Sequence, residues 1–129
     1  FIIRGDMSNT KNKHLVLGAS VKAQRYSNMA IKLLRTNKYD TIAVGRRVGK
    51  VLDVPIEIGT PHFDDIHTIT LYLNPKNQES YYDYILSLKP NRVIFNPGTE
   101  NPVFQKSLHE SGIDFEEACT LVLLNTKQY

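Results

Sequence analysis

Short apolar runs alternate along the chain with stretches in which apolar positions recur at helical spacing. Four runs predict strands, at residues 13–17, 41–44, 68–73 and 91–95, and a fifth lies at 113–117. Strands that alternate with helices are typical of a parallel sheet covered on both faces. The pattern therefore predicts an α/β, Rossmann-like three-layer fold with a mostly parallel sheet of about five strands.

The stretch after the first strand predicts a helix with one apolar face. Tyr26, Ala30, Leu33 and Leu34 recur there at helical spacing, and Asn37 is a typical stop. We expect this face to pack on the sheet, because an amphipathic helix buries its apolar side.

Two later helices are predicted from an asparagine followed by a proline, at residues 74–75 and 101–102. Asparagine suits the N-cap and proline the first helical position. The first of these helices should run to about residue 88, and the second should stop at Gly112. Residues 46–61 predict a long loop with a short extended piece at 54–58. Residues 118–124 fit either a strand or a buried helix.

Composition limits the class of protein. The 129 residues are 41% hydrophobic and 22% charged, which suits one globular domain over residues 7–129. Phe1–Asp6 precede Met7 and are interpreted as residues left by expression. No apolar run is long enough for a membrane helix, and Cys119 stands alone, so we expect a cytoplasmic protein without membrane contact. The net charge of +3 favours a phosphorylated small molecule over nucleic acid.

The first strand ends in a turn of small residues just before a helix. In doubly wound sheets such a turn brings backbone N–H groups close to a phosphate, so an anion is predicted at Gly18, Ala19 and Ser20. Arg25 and Ser27 follow and could add a guanidinium and a hydroxyl. The dinucleotide fingerprint is incomplete, because two of its glycine positions hold other residues. An ordinary strand-to-helix turn fits the same segment.

The end of the second strand holds Val44, Gly45, Arg46 and Arg47. NAD-binding proteins usually place an acidic side chain there to bind the adenosine ribose. Two cations suit a phosphorylated ribose instead, as found in NADP and in coenzyme A. NAD is therefore disfavoured, and a solvated pair of arginines is the alternative interpretation.

The later strand ends are rich in small and polar residues. Leu73 and Asn74 follow the third strand, and Asn96, Pro97 and Gly98 follow the fourth. Ligands of open α/β sheets bind outside the carboxyl ends of strands, so these residues are expected to line the same crevice. Turns need the same residue types, which is the competing explanation.

No catalytic centre is predicted. The histidines have no metal-ligand spacing, and there is no Walker loop and no Ser-His-Asp pattern. Cys119 follows the fifth strand, where its thiol could face the crevice and pair with a ligand thiol. A small buried hydrophobic residue is the other interpretation of this cysteine.

Six short motifs carry a family resemblance: Leu17-Gly18-Ala19-Ser20, Arg25-Tyr26-Ser27, Ile42-Ala43-Val44-Gly45-Arg46, Leu71-Tyr72-Leu73-Asn74, Ile94-Phe95-Asn96-Pro97-Gly98 and Glu117-Ala118-Cys119. Together they resemble the small stand-alone CoA-binding proteins, whose fold is similar to the amino-terminal domain of the succinyl-CoA synthetase alpha subunit. The resemblance implies that the first loop holds the diphosphate and that the end of the second strand meets the phosphorylated adenosine. Many relatives resemble an Asn-Pro or Ser-Pro turn where this chain has Gly45-Arg46.

The resemblance implies binding of coenzyme A or an acyl-CoA without ligase chemistry, since the synthetase's phosphohistidine belongs to parts outside these residues. An NADP-binding enzyme or enzyme fragment is the second hypothesis. A non-catalytic interaction protein is the third, with Tyr81 or Tyr82 exposed at an interface. Inward packing of these tyrosines is the favoured interpretation, because aromatic residues at helical spacing usually pack inward. The acyl group and any protein partner are left open by the sequence.

Overall fold

The structure is a computed structural model that describes residues 11–129. The interpretation of Phe1–Asp6 and the start of the domain at Met7 lie outside the described residues. The strands are β1 (Lys13–Ala19), β2 (Asp40–Gly45), β3 (Gly49–Val51), β4 (Val54–Glu57), β5 (Ile66–Leu71), β6 (Arg92–Phe95) and β7 (Asp114–Glu117). The helices are α1 (Tyr26–Thr36), α2 (Pro75–Gln78), α3 (Tyr82–Leu88), α4 (Pro102–Glu110) and α5 (Thr120–Asn125), and a 3₁₀ turn at Glu79–Tyr81 joins α2 to α3.

The strands form one seven-stranded sheet in the order β3-β4-β2-β1-β5-β6-β7. Only β3 is antiparallel to its neighbour among the described strands, and every other pairing is parallel. The predicted α/β, Rossmann-like fold is therefore confirmed, with two strands more than expected. Because β1 lies between β2 and β5, the chain crosses to opposite sides of β1, which creates a topological switch point.

The two additional strands form a hairpin at one sheet edge. β4 coincides with the extended piece expected at 54–58, whereas β3 falls in a predicted loop. A strand of three residues is too short for alternation to show. The turn also holds Leu52 at φ 54°, where glycine or asparagine would signal a hairpin.

The face of α1 that packs on the sheet differs from the predicted one. Ala30 and Leu34 are buried, as expected, and Ile31 joins them, but Tyr26 is 68% exposed. α1 runs back from the carboxyl edge of the parallel sheet, so its first residue lies beyond the strands that cover Ala30 and Leu34. Helical spacing alone does not locate that edge.

The stretch predicted as one helix up to residue 88 is broken after Gln78. The Gln78 side chain is buried and donates through Nε2 to the backbone oxygens of Leu73 and Thr99, at 2.8 Å each. Its Oε1 accepts a hydrogen bond from Asn101 Nδ2. These contacts anchor α2 to the segments after β5 and β6. A 3₁₀ turn follows, and α3 begins separately at Tyr82 and buries Tyr84, Ile85 and Leu88.

Two apolar cores cover the sheet. Alternate residues of β1 point to opposite faces, so that Leu15 and Leu17 belong to one core and Val16 to the other. Tyr82 is half-buried and stacks on Phe104 with ring centroids 4.3 Å apart, so it packs against the first core. The ambiguous segment after β7 becomes α5 and packs on the second core.

Within residues 11–129 no helix is long and apolar enough to cross a membrane.

Candidate functional site

A cleft of about 660 Å³ lies at the carboxyl ends of β1, β2 and β5. Four segments form its walls: the loop between β1 and α1, the residues after β2, the residues after β5, and the stretch from α2 into the 3₁₀ turn. This is the switch point of the sheet, where the loops on either side of β1 diverge and leave a crevice. The volume lies within the range of small-molecule sites.

Two glycines allow the strand ends around the cleft to come close together. Gly18 has φ 98°, and a Cβ atom there would lie 2.9 Å from the carbonyl carbon of Tyr72. A Cβ atom on Gly45 would collide with the backbone oxygen of Ala19. Both contacts are with main chain, which has little freedom to move. The floor of the cleft therefore depends on the absence of side chains at these positions.

The cleft is positively charged. Lys22, Arg25, Arg46 and Arg47 line it, and of the described residues in its walls none is acidic. All four side chains belong to exposed residues, and none forms an ion pair within residues 11–129. Unpaired cations that converge on a concave surface attract anions.

Backbone donors add to this charge at the loop between β1 and α1. Arg25 precedes α1 and makes no side-chain cap, so the N–H groups of Tyr26 and Ser27 have no acceptor among the described residues. Within the loop, the Lys22 N–H donates to Ser20 Oγ at 3.1 Å. The first turn of α1 therefore presents free donors and the positive end of the helix dipole beside the cations.

The predicted site residues fall into two groups. Those that line the cleft are Gly18, Ala19, Ser20, Arg25, Gly45, Arg46, Leu73 and Asn74. The Val44 side chain is fully buried in the first core, and Ser27 is buried in the first turn of α1, so neither lines the cleft. The structure brings together residues from three of the strand ends.

Asn96 lies below the surface and serves the fold. Its Nδ2 donates to Thr70 Oγ1 at 2.7 Å and to the Leu71 oxygen at 2.8 Å, and its Oδ1 accepts from the Thr120 N–H at 2.8 Å. The side chain thereby joins β5, β6 and α5. A polar residue at a strand end has the same sequence signature whether it faces a ligand or pairs with its neighbours.

The other predicted residues beyond β6 and β7 also lie outside the cleft walls. Pro97 and Gly98 form an exposed turn. Cys119 is half-buried at the start of α5. Its thiol does not line the cleft.

The structure adds cleft residues that sequence reasoning missed. They are Val21, Lys22, Tyr72, Asn77, Ser80 and Tyr81, and Arg47 lines the cleft beside Arg46. Tyr72 falls inside a predicted strand, and burial raises the pKa of its phenol to about 12, so it is uncharged at neutral pH. Asn77 and Ser80 lie on the polar side of a predicted helix, a position that is normally solvated. Both line the cleft, Asn77 from α2 and Ser80 from the 3₁₀ turn that follows it.

The composition of the walls limits the chemistry of the site. Among the described residues that line the cleft there is no histidine, carboxylate or thiol. Across residues 11–129, no three His, Cys, Asp or Glu side chains are grouped so that they could hold a metal ion. The arrangement is suited to binding a ligand with several negative charges.

Comparison with known proteins supports this description. The family model described as the CoA binding domain matches residues 12–125. A solved structure of an uncharacterized protein is 46% identical, with 92% of this chain and 98% of that chain covered and a TM-score of 0.89. A hypothetical protein from Pyrococcus horikoshii OT3 is 25% identical over 98% of this chain and 89% of that one, with a TM-score of 0.78. No curated protein sequence matches the chain.

A more distant similarity involves a much larger protein. The dinucleotide forming acetyl-coenzyme A synthetase 1 of Ca. Korarchaeum cryptofilum, in complex with phosphate and ADP, is 10% identical, with a TM-score of 0.66. The match covers 88% of this chain but 27% of the synthetase. At this identity the similarity shows a shared fold alone.

Proposed function

The chain belongs to the CoA binding domain family, and from this premise we propose that it binds coenzyme A, or an acyl-CoA, in the cleft at the carboxyl ends of β1, β2 and β5. The charge of the cleft carries the proposal. Four cations and no acidic residue of the described chain line a space of about 660 Å³. Coenzyme A carries a diphosphate and a 3′-phosphate, and its negative charge is complementary to such a surface.

We assign the diphosphate to the loop between β1 and α1. The unpaired N–H group of Tyr26 and the positive end of α1 favour phosphate oxygens there. Lys22 and Arg25 stand beside this donor and add charge. The side of the cleft formed by Leu73 and Asn74 is left for the uncharged pantetheine arm.

We assign the 3′-phosphate to Arg46 and Arg47, which follow β2. A guanidinium binds phosphate through two parallel N–H donors, which a lysine ammonium does not match. The same residues suit the 2′-phosphate of NADP, so the two cofactors must be compared directly. The adenosine ribose of NAD usually donates a hydrogen bond to a carboxylate at this position, and here two cations replace that carboxylate.

We propose binding and no chemical step. The support is the composition of the walls, which hold no described side chain suited to move a proton or to act as a nucleophile at neutral pH. The phenol of Tyr72 is uncharged because burial raises its pKa to about 12. Coenzyme A would therefore be released from the cleft without chemical change.

Calorimetric titration tests the ligand class. The protein is stripped of nucleotide and titrated with coenzyme A, acetyl-CoA, dephospho-CoA, NADP and NAD in one buffer. We expect saturable binding of coenzyme A, weaker binding of dephospho-CoA, and no binding of NAD. Tighter binding of NADP would replace the proposal with an NADP-binding function. The absence of heat and of a thermal shift with every ligand would favour a scaffold without a ligand.

Substitution of Arg46 tests the assignment of the 3′-phosphate. Arg46→Ala is expected to weaken coenzyme A by about tenfold, since a charged hydrogen bond in a partly exposed site contributes roughly 1.4 kcal/mol. Dephospho-CoA should bind the parent and the variant equally, because it lacks the group that Arg46 contacts.

Lys50→Ala is the matched control for Arg46→Ala. Lys50 is an exposed cation in β3 and does not line the cleft. This control should leave both affinities unchanged in the same calorimetric experiment. An equal loss for coenzyme A and dephospho-CoA in Arg46→Ala would remove the assignment of the 3′-phosphate to this residue.

A further inference from the structure

Asn28 connects α1 to the loop that forms one wall of the cleft. It lies in the first turn of the helix and is 2% exposed. Its Nδ2 donates to the backbone oxygen of Ser20 at 3.0 Å, across eight residues of chain. The neighbouring bonds are more local, such as the 3.0 Å bond from the Arg25 N–H to the Lys22 oxygen. The bond from Asn28 therefore links the start of the loop to a rigid element.

This bond determines the direction of a free donor. In a planar trans peptide the N–H group points opposite to the carbonyl of the preceding residue. When Asn28 holds the Ser20 oxygen, the Val21 N–H must point away from Asn28. That N–H has no acceptor among the described residues, and Val21 lines the cleft. An unpaired donor in the wall is thus fixed by a side chain that does not itself reach the cleft surface.

The other end of the Asn28 amide is unpaired. Its Oδ1 is buried and has no hydrogen-bond donor within the described part of the chain. A buried acceptor without a partner reduces stability, because it loses its hydrogen bonds to water on folding and forms none within the protein. Leucine has a similar shape and no such atom. The unpaired Oδ1 costs stability, so the bond from Nδ2 to the Ser20 oxygen is the contact that accounts for an amide at this position.

We propose that Asn28 is a positioning residue for the anion site. It holds the Ser20 carbonyl against α1, directs the Val21 N–H toward the bound phosphates, and keeps residues 20–25 in the geometry that binds them. The proposal rests on the proposed function, because the phosphates are those of coenzyme A. It does not require that Asn28 touch the ligand.

Asn28→Leu separates positioning from stability. The variant removes the donor to Ser20 and the unpaired buried oxygen together. We expect the affinity for coenzyme A to fall by at least about tenfold, while the melting temperature is unchanged or higher. Lys22 and Arg25 are trypsin sites within the loop. Cleavage after these residues should therefore be faster in the variant, because a released loop opens more often.

Thr41→Val is the matched control for this experiment. Thr41 is also buried, and its Oγ1 donates to the Tyr39 oxygen at 3.0 Å, at the end of β2 remote from the cleft. This variant should lose some thermal stability and retain both the affinity for coenzyme A and slow cleavage of the loop. A loss of affinity in Thr41→Val equal to that in Asn28→Leu would overturn the positioning role, since any weakened fold would then give it.

The remaining outcomes are also decisive. Parent-like affinity and parent-like cleavage in Asn28→Leu would overturn the proposal. If Asn28→Leu does not fold, Asn28→Ala is measured instead. A lower melting temperature in Asn28→Ala, with no faster cleavage after Lys22 and Arg25, would show that Asn28 has only a structural role. If the parent binds no coenzyme A, the proposed function fails. Loop cleavage still decides whether Asn28 fixes the loop.

Discussion

Gly45→Ala is expected to destabilise the protein by about 3 kcal/mol or more. The added Cβ atom would collide with the backbone oxygen of Ala19, and both residues belong to paired parallel strands. Relief would require β1 and β2 to separate at the carboxyl edge of the sheet, which would break their ladder and open the floor of the cleft. Urea unfolding at pH 7.5 measures the change through the transition midpoint.

Gly98→Ala provides the comparison for Gly45→Ala. Gly98 has φ 91°, but a Cβ atom there would meet nothing within 4 Å. This variant should lose only about 1 kcal/mol, the contribution of backbone strain without a collision. Gly18→Ala combines a φ of 98° with a contact to the Tyr72 main chain, so it should resemble Gly45→Ala. Equal midpoints for Gly45→Ala and Gly98→Ala would show that β1 and β2 can move apart at little cost.

This ranking affects how the site can be tested. Gly18→Asp would place a carboxylate where a diphosphate is expected, but its Cβ atom would first press on the main chain of Tyr72. A loss of binding in that variant would report a damaged fold as well as a blocked phosphate site. Arg46→Ala and Asn28→Leu avoid this ambiguity, because neither adds an atom to a crowded backbone.

The parallel part of the fold could be predicted because burial on both faces leaves a strong sequence signal. β1 and β5 lie at the centre of the sheet; β1 reads as a mostly apolar run, and β5 carries Ile66, Ile69 and Leu71 among buried threonines. The hairpin of β3 and β4 has no such signal, since it lies at an edge and its strands are short. Tertiary contacts with Val21 and with Arg35, which binds Asp53, hold it in place.

The position of the candidate site was also predictable, whereas the identity of its walls was predictable only in part. Parallel topology requires that the ends of β1, β2 and β5 meet at one edge, so Gly18, Arg46 and Asn74 could be grouped without coordinates. Which side chains turn toward that edge depends on packing. Asn77 and Ser80 line the cleft on either side of the buried Gln78, and no spacing rule reveals this.

Asn28 shows a further limit of sequence reasoning. In the sequence it is a polar residue in the first turn of a helix, where solvent exposure is the ordinary expectation. Its importance arises from a bond to Ser20 that exists only when the loop folds back over α1. Residues that act on a site through another residue carry no motif of their own, and structure is needed to find them.

We expect the free energy of unfolding to fall steeply as pH is lowered, because of His14. This residue lies at the end of the sheet opposite the cleft. The ring is buried in β1, with Nδ1 2.9 Å from the Tyr129 hydroxyl, and it packs edge-on against Tyr39. Burial lowers its pKa from 6.5 to about 4, and the nearby positive charges of His67 and Arg92 act in the same direction. The folded protein therefore holds His14 neutral at pH values where the unfolded chain protonates it.

The sign of the effect follows from this lowered pKa. Between pH 6.5 and 4 the unfolded state binds more protons, so stability is complete above about pH 6.5 and declines as pH falls. The loss should reach about 2 kcal/mol at pH 5 and about 3 kcal/mol at pH 4. The pKa of His67 is lowered as well, mainly by burial, and adds in the same direction.

Urea unfolding across pH 7.5 to 4.5 checks the prediction on the parent, His14→Gln and His109→Gln. His14→Gln keeps a polar partner for Tyr129 without a titrating group, so its stability should change less with pH than that of the parent. His109 is exposed on α4, and His109→Gln is the control that replaces a histidine outside the cluster of His14, Tyr39 and Tyr129. Carboxylates that titrate in this range are shared by all three proteins and cancel in the comparison. A parent-like slope in His14→Gln would mean that the buried ring accepts its proton in the folded state.

Because His14 lies at the amino end of β1, acid should reduce the folded fraction before it changes the affinity of the cleft for coenzyme A.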